Sequence, residues 1–65
     1  MLTVKVISKE GGEEIHCTVS VGFNPKQQSI ALSGMDQSIF LKEDEVAYVM
    51  NEMGKTISTY CHKKL

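Results

Sequence analysis

Two cysteines and two histidines stand in adjacent pairs, His16-Cys17 near the start of the 65-residue chain and Cys61-His62 near its end. Two Cys and two His are the ligand set of a structural zinc site. The spacing argues against that chemistry. Neighbouring residues on a strand point to opposite faces, so His16 and Cys17 reach one metal only across a bulge. Structural zinc sites also build on two-ligand knuckles with a spacer, as in C-x2-C, and neither pair has one. A Cys17–Cys61 disulfide would contribute on the order of 4 kcal/mol in the chain-entropy model, but a chain without a secretory signal keeps its thiols reduced in a cytoplasm. A Cys–His nucleophile and base would need an oxyanion site and an orienting third group, and the sequence marks neither. We expect no catalytic, cofactor-binding or metal-binding residue. On this reading Cys17 is a core side chain, both His lie at the surface, and Cys61 is the more reactive thiol.

Other stretches with chemical potential have simpler uses. Gly11-Gly12 lacks the context of a phosphate loop and opens a strand where those motifs open a helix, so it reads as a turn. Glu43, Asp44 and Glu45 could attract a cation, yet a solvated helix start accounts for them. Met35, Met50 and Met53 read as core or near-core filler.

Composition narrows the function classes. The formal net charge is −1, with seven Lys and no Arg. Arg is the residue of choice for bidentate base and phosphate contacts, so a near-neutral chain without it is a poor nucleic-acid binder. No apolar run approaches the ~20 residues of a membrane span, and MLTVKVISKE alternates instead of forming a signal-peptide core. One small cytoplasmic domain, residues 1–65, is expected. A chain of this size buries only ~60% of its unfolded surface, and with no metal or disulfide in prospect the usual remedy is a partner subunit.

The elements follow from periodicity and turn chemistry. A two-residue turn at Gly11-Gly12 predicts a hairpin from Met1 to Val21 in which Val6 faces Cys17, Val4 faces Val19 and Leu2 faces Val21 on one side. Ile7 is the apolar exception on the other side. Gly22 to Gln27 breaks the pattern, with a turn at Asn24-Pro25. A second hairpin, Gln28 to Ser33 with Ser38 to Leu41, pairs Leu32 with Ile39 and Ile30 with Leu41, and Ala31 with Phe40 opposite. In LKEDEVAYVMNEMG, Val46, Val49, Met50 and Met53 share one helical stripe. The acidic first turn and Gly54 explain both ends of a helix over about 43–53. Val46, Tyr48 and Met50 also alternate as in a strand, but a strand explains neither end. Thr56 to Tyr60 is dense in β-branched residues and reads as a last strand, followed by a fraying tail from His62 to Leu65. The expected fold class is α+β: a small two-layer domain of two hairpins and a last strand in a mainly antiparallel sheet, one helix packed on one face.

Two functions suit such a chain. The first is a non-catalytic interaction protein, homodimeric, of the kind a bacterial or phage accessory protein uses to modulate a larger partner. Its candidate surface comprises Ile7, Phe40, Tyr48 and Tyr60, apolar side chains on an otherwise polar face. The second is a nucleic-acid or nucleotide-binding module, with Lys5 and Lys63-Lys64 near phosphates and Phe40 and a Tyr stacking on bases. The acidic clusters at Glu10–Glu14 and Glu43–Glu45 count against the second.

Overall fold

The structure, a computed structural model, describes residues 1–62. It contains seven strands: β1 (Leu2–Ile7), β2 (Glu13–Thr18), β3 (Val21–Asn24), β4 (Ser29–Leu32), β5 (Ile39–Phe40), β6 (Val46–Met50) and β7 (Thr56–Cys61). They form two antiparallel sheets, a four-stranded one in the order β2-β1-β6-β7 and a three-stranded one in the order β3-β4-β5. The described residues include no helix, so the α+β expectation is corrected to an all-β fold. Among the described residues there is accordingly no helix long and apolar enough to cross a membrane. The expected tail beyond His62 lies outside the described residues.

The stretch read as a helix is β6, a central strand. An isolated helix of some eleven residues is marginal in water, because its costly first turn must be repaid by packing. Here the packing favours the extended form. Ala47 and Val49 are buried at 0% and 2% exposure, while Val46, Tyr48 and Met50 are half-buried on the other side. The two features that seemed to end a helix end a strand instead. Glu45 N–H donates to the Lys42 carbonyl, and Asp44 adopts φ 67°, so the acidic trio sits in a tight turn. Gly54, with φ 81°, closes the β6–β7 hairpin.

That hairpin repeats the design of the first. In β1–β2, Ser8 N–H donates to the Gly12 carbonyl at 2.9 Å and Gly11 N–H to the Ser8 carbonyl at 3.0 Å. In β6–β7, Asn51 N–H donates to the Lys55 carbonyl at 2.9 Å and Gly54 N–H to the Asn51 carbonyl at 3.0 Å. Each loop therefore has three residues and ends on a left-handed glycine, the pattern of a turn followed by a G1 bulge. The first loop residue's neighbour caps it in both: Ser8 Oγ accepts from Gly12 N–H and Asn51 Oδ1 from Lys55 N–H, each at 3.0 Å.

This loop corrects the first hairpin's register. With Lys9-Glu10-Gly11 as the loop, Leu2 pairs with Thr18, Val4 with His16 and Val6 with Glu14. The expected partners are displaced by three positions, and an odd displacement turns every β2 side chain to the opposite face. Cys17 is consequently exposed, not a core residue, and Val19 lies outside the strand at 72% exposure. In the second hairpin Ile30 pairs with Ile39 and Ser29 with Phe40. That displacement is even, so Ile30, Leu32 and Leu41 still share the buried side. Val21, expected to face Leu2 in the first hairpin, and Gly22 to Asn24, expected to be irregular, instead pair with β4 as a further strand. Its turn is the one Asn24-Pro25 implies: Asn24 Oδ1 accepts from the Lys26 N–H at 3.0 Å and the Gln27 N–H at 3.3 Å.

The two sheets close over one core of Val4, Val6, Ile30, Leu32, Leu41, Ala47 and Val49, with Leu2, Val21, Phe23, Ile39 and Tyr60 packed around it. At the β2–β3 crossover the buried Thr18 hydroxyl lies 3.0 Å from the carbonyl oxygens of both Ser20 and Ser33. Ser33 N–H also donates to Ser20, so the corner is held by backbone as well as side chain.

Candidate interaction surface

With Val4, Val6, Ala47 and Val49 turned inward, their neighbours on β1 and β6 must turn outward. The registers place these outward residues in three rows across the four-stranded sheet. The first row runs Cys17, Thr3, Met50 and Thr56, the second Ile15, Lys5, Tyr48 and Thr59, the third Glu13, Ile7, Val46 and Cys61. Ile57, beside the register shift between Val49 and Met50, extends the first row at 52% exposure. Ile15 is 60% exposed, and Ile7, Val46, Tyr48 and Met50 are half-buried among their neighbours. An antiparallel sheet with one solvated face normally presents polar residues there. This face is mainly apolar.

Its charges are few and self-compensating. Lys5 Nζ lies 3.4 Å from Glu13 Oε1, so the ammonium at the centre of the face meets the carboxylate at its corner. The pair is only partly shielded and its energetic contribution is small, but it leaves the face with no net charge.

Of the four residues proposed from sequence, the structure brings two together. Ile7 and Tyr48 are on adjacent strands of the outer face, one row apart. Phe40, 60% exposed, lies on the outside of the three-stranded sheet. Tyr60 turns inward and stacks on Phe23, ring centroids 4.5 Å apart and planes inclined by 9°, joining the two sheets. Sequence reasoning missed Ile15, Val46, Met50 and Ile57. For Val46 and Met50 the signal was present in their alternation with Ala47 and Val49. For Ile15 it was hidden by the register.

The Cys and His residues do not converge. Cys17 and Cys61 are free, exposed thiols on opposite edge strands of the sheet, three interstrand spacings of about 4.8 Å apart. His16 occupies the other face of β2 from Cys17. Its Nε2 is out of contact with solvent, makes no hydrogen bond and lies 3.5 Å from Glu14 Oε2. Among the described residues no three His, Cys, Asp or Glu side chains come together as a metal-ligating group. Of the groups read as a nucleic-acid platform, Lys5 stands beside Tyr48 but is ion-paired with Glu13, Phe40 is on the other sheet, and Lys63 and Lys64 lie outside the described residues.

A smaller apolar patch borders an open cleft at the far end of β1, lined by Met1, Leu2, Val19 and Met53 with Asn51 and Glu52. The Met1 ammonium hydrogen-bonds the Glu52 carboxylate and holds it below the usual carboxylate range. Comparison with protein-family models, curated proteins and solved structures finds no match.

Proposed function

We propose that this chain is a non-catalytic cytoplasmic interaction protein whose working surface is the outer face of the four-stranded sheet. The observation that carries the reading is the continuity of apolar side chains across all four strands, from Ile15 through Ile7, Tyr48, Val46 and Met50 to Ile57. Contiguous apolar patches mark interaction sites far more often than scattered surface hydrophobes do. The mixture on this face, an aromatic and several aliphatic residues with its few charges paired, is what the centre of an interface presents. Two free thiols are in keeping with a reducing compartment.

The test is a comparison of three baits in extract from the source cell: the wild type, Ile7→Glu and Phe40→Glu. A protein held by the wild type and by Phe40→Glu, but released by Ile7→Glu, supports the reading. Equal retention by all three, or no retained protein, refutes it.

A further inference from the structure

The occupant of that face is decided by its charges and its symmetry. We infer that the face is covered by a second copy of this chain, with β1 of each copy lying over β6 of the other. The inference rests on the interaction reading above and names its partner.

The four-stranded sheet is built from two like hairpins related by a local two-fold axis between β1 and β6. Both turn through the same three-residue loop, around Gly11 and Gly54. The Lys5–Tyr48 row is the middle one of three and lies on that axis. Packed sheets cross at an angle set by their twist, and the middle row stays at the crossing whatever that angle is. Because of the local two-fold, backbone shape allows two symmetric seatings that differ by a half turn.

Side-chain chemistry separates them. In one seating β1 lies on β1, so Lys5 meets Lys5 of the second copy at the centre of the interface. Thr3 then lies on Ile7, and Met50 on Val46. Like charges opposed in a desolvated centre are the strongest discriminator an interface has. In the other seating β1 lies on β6. Each Lys5 then rests on Tyr48 of the second copy, an ammonium over an aromatic ring, and Ile7 meets Val46 twice over. Glu13 falls over Cys61, so no like charges meet. A face whose own Lys5–Glu13 pair leaves it uncharged can be laid against itself in this way; a face of one sign could not. The sheet's footprint, roughly 400 Å² per copy from four strands about 4.8 Å apart and some six residues rising about 3.3 Å each, gives about 800 Å² over both copies, below the standard specific interface and in the range of weak encounters. The dimer is accordingly a weak one.

Two substitutions at the central position decide between the seatings. In the inferred one, Tyr48→Glu places a carboxylate over Lys5 of the second copy, and Tyr48→Lys places an ammonium there. Sedimentation equilibrium should find the wild type dimeric at tens of micromolar and Tyr48→Glu within about threefold of it. Tyr48→Lys should associate at least tenfold more weakly. Far-UV circular dichroism and urea unfolding verify that both variants fold. The wild type alone supplies an independent readout. In a dimer of labelled and unlabelled chains, isotope-filtered NOEs should join Ile7 and Val46 methyls across the interface. A wild-type monomer at that concentration overturns the inference. So do equal dissociation of both variants, which indicates the β1-on-β1 seating, and dimers indifferent to both, which indicate an edge-strand contact. If the wild type is monomeric while Ile7→Glu still releases a bound protein, the self-partner falls and the interaction face survives.

Discussion

Substituting Gly11 and Gly12 separately by alanine tests the turn on which the first hairpin depends. A two-residue turn centred on the pair would need positive φ at both positions. In the structure only Gly11 adopts it, at φ 89°, and Gly12 already belongs to the ladder opposite Ser8. Alanine in the left-handed region costs about 1–2 kcal/mol. It also restricts the unfolded chain, which offsets about 0.4–1 kcal/mol, so Gly11→Ala should destabilise by about 1 kcal/mol. At Gly12 an added Cβ meets a single atom, the Ser8 hydroxyl oxygen at 3.1 Å. That hydroxyl can rotate away at the expense of one exposed hydrogen bond to Gly12 N–H, so the change should be within about 0.5 kcal/mol of zero.

The contrast is measurable because the domain is small. Sixty-five residues correspond to a total stability of about 3–10 kcal/mol, and 1 kcal/mol shifts the melting midpoint of such a domain by about 4–8 °C. Urea unfolding of the wild type and both variants, with equal m-values required, gives the comparison directly. Gly54→Ala is an internal control and should behave like Gly11→Ala, since Gly54 holds φ 81° in the same kind of loop. Damage at Gly12 equal to or greater than that at Gly11 would refute the three-residue loop, and with it the orientation of every side chain on β2.

Three further outcomes are expected. Ile30→Ala, at a core position with 0% exposure, should cost about 2–5 kcal/mol, most of the domain's stability by thermal or urea unfolding. Timed alkylation of the native protein with mass mapping should label Cys17 and Cys61 quickly and at similar rates, because both are exposed; protection of Cys17 alone would restore the register in which it faces the core. Val49→Asp should unfold the chain while Tyr48→Asp leaves it folded, since Val49 is buried and Tyr48 is on the outer face; equal damage at both positions would exclude the strand.

The sequence made the alternation of β1, β4 and β5 legible, because period-2 sorting of Val4 and Val6, or of Ile30 and Leu32, does not depend on how the strands are joined. What it left open was the joining. At Gly11-Gly12 the choice between a two-residue and a three-residue loop moves the register by an odd number and reverses β2, taking Cys17 out of the core and hiding Ile15 from the outer face. Around Gly34 the corresponding error is even, and the same residues remain buried. Ile7 could be seen from sequence as an outward apolar residue because its own strand was placed correctly. Tyr60 and Phe40 could not be assigned a side, since nothing local shows that β7 turns Tyr60 onto Phe23 or that Phe40 lies outside the second sheet.

The ambiguity of VAYVM between helix and strand has the same origin as the interaction surface. A strand solvated on one side alternates apolar and polar residues, and its period of two identifies it. A strand covered on both sides is apolar throughout, and then every period fits, including the helical one. On β6 the inward residues Ala47 and Val49 are covered by the other sheet, yet the outward Val46, Tyr48 and Met50 are equally apolar. On β7, an edge strand of the same sheet, Thr56 and Thr59 bring polar groups to the outer face beside Ile57 and Cys61. The composition of β6 is therefore that of a strand with two buried faces, whereas within one chain it has only one. In the inferred dimer, a second chain over Tyr48 would supply the missing cover.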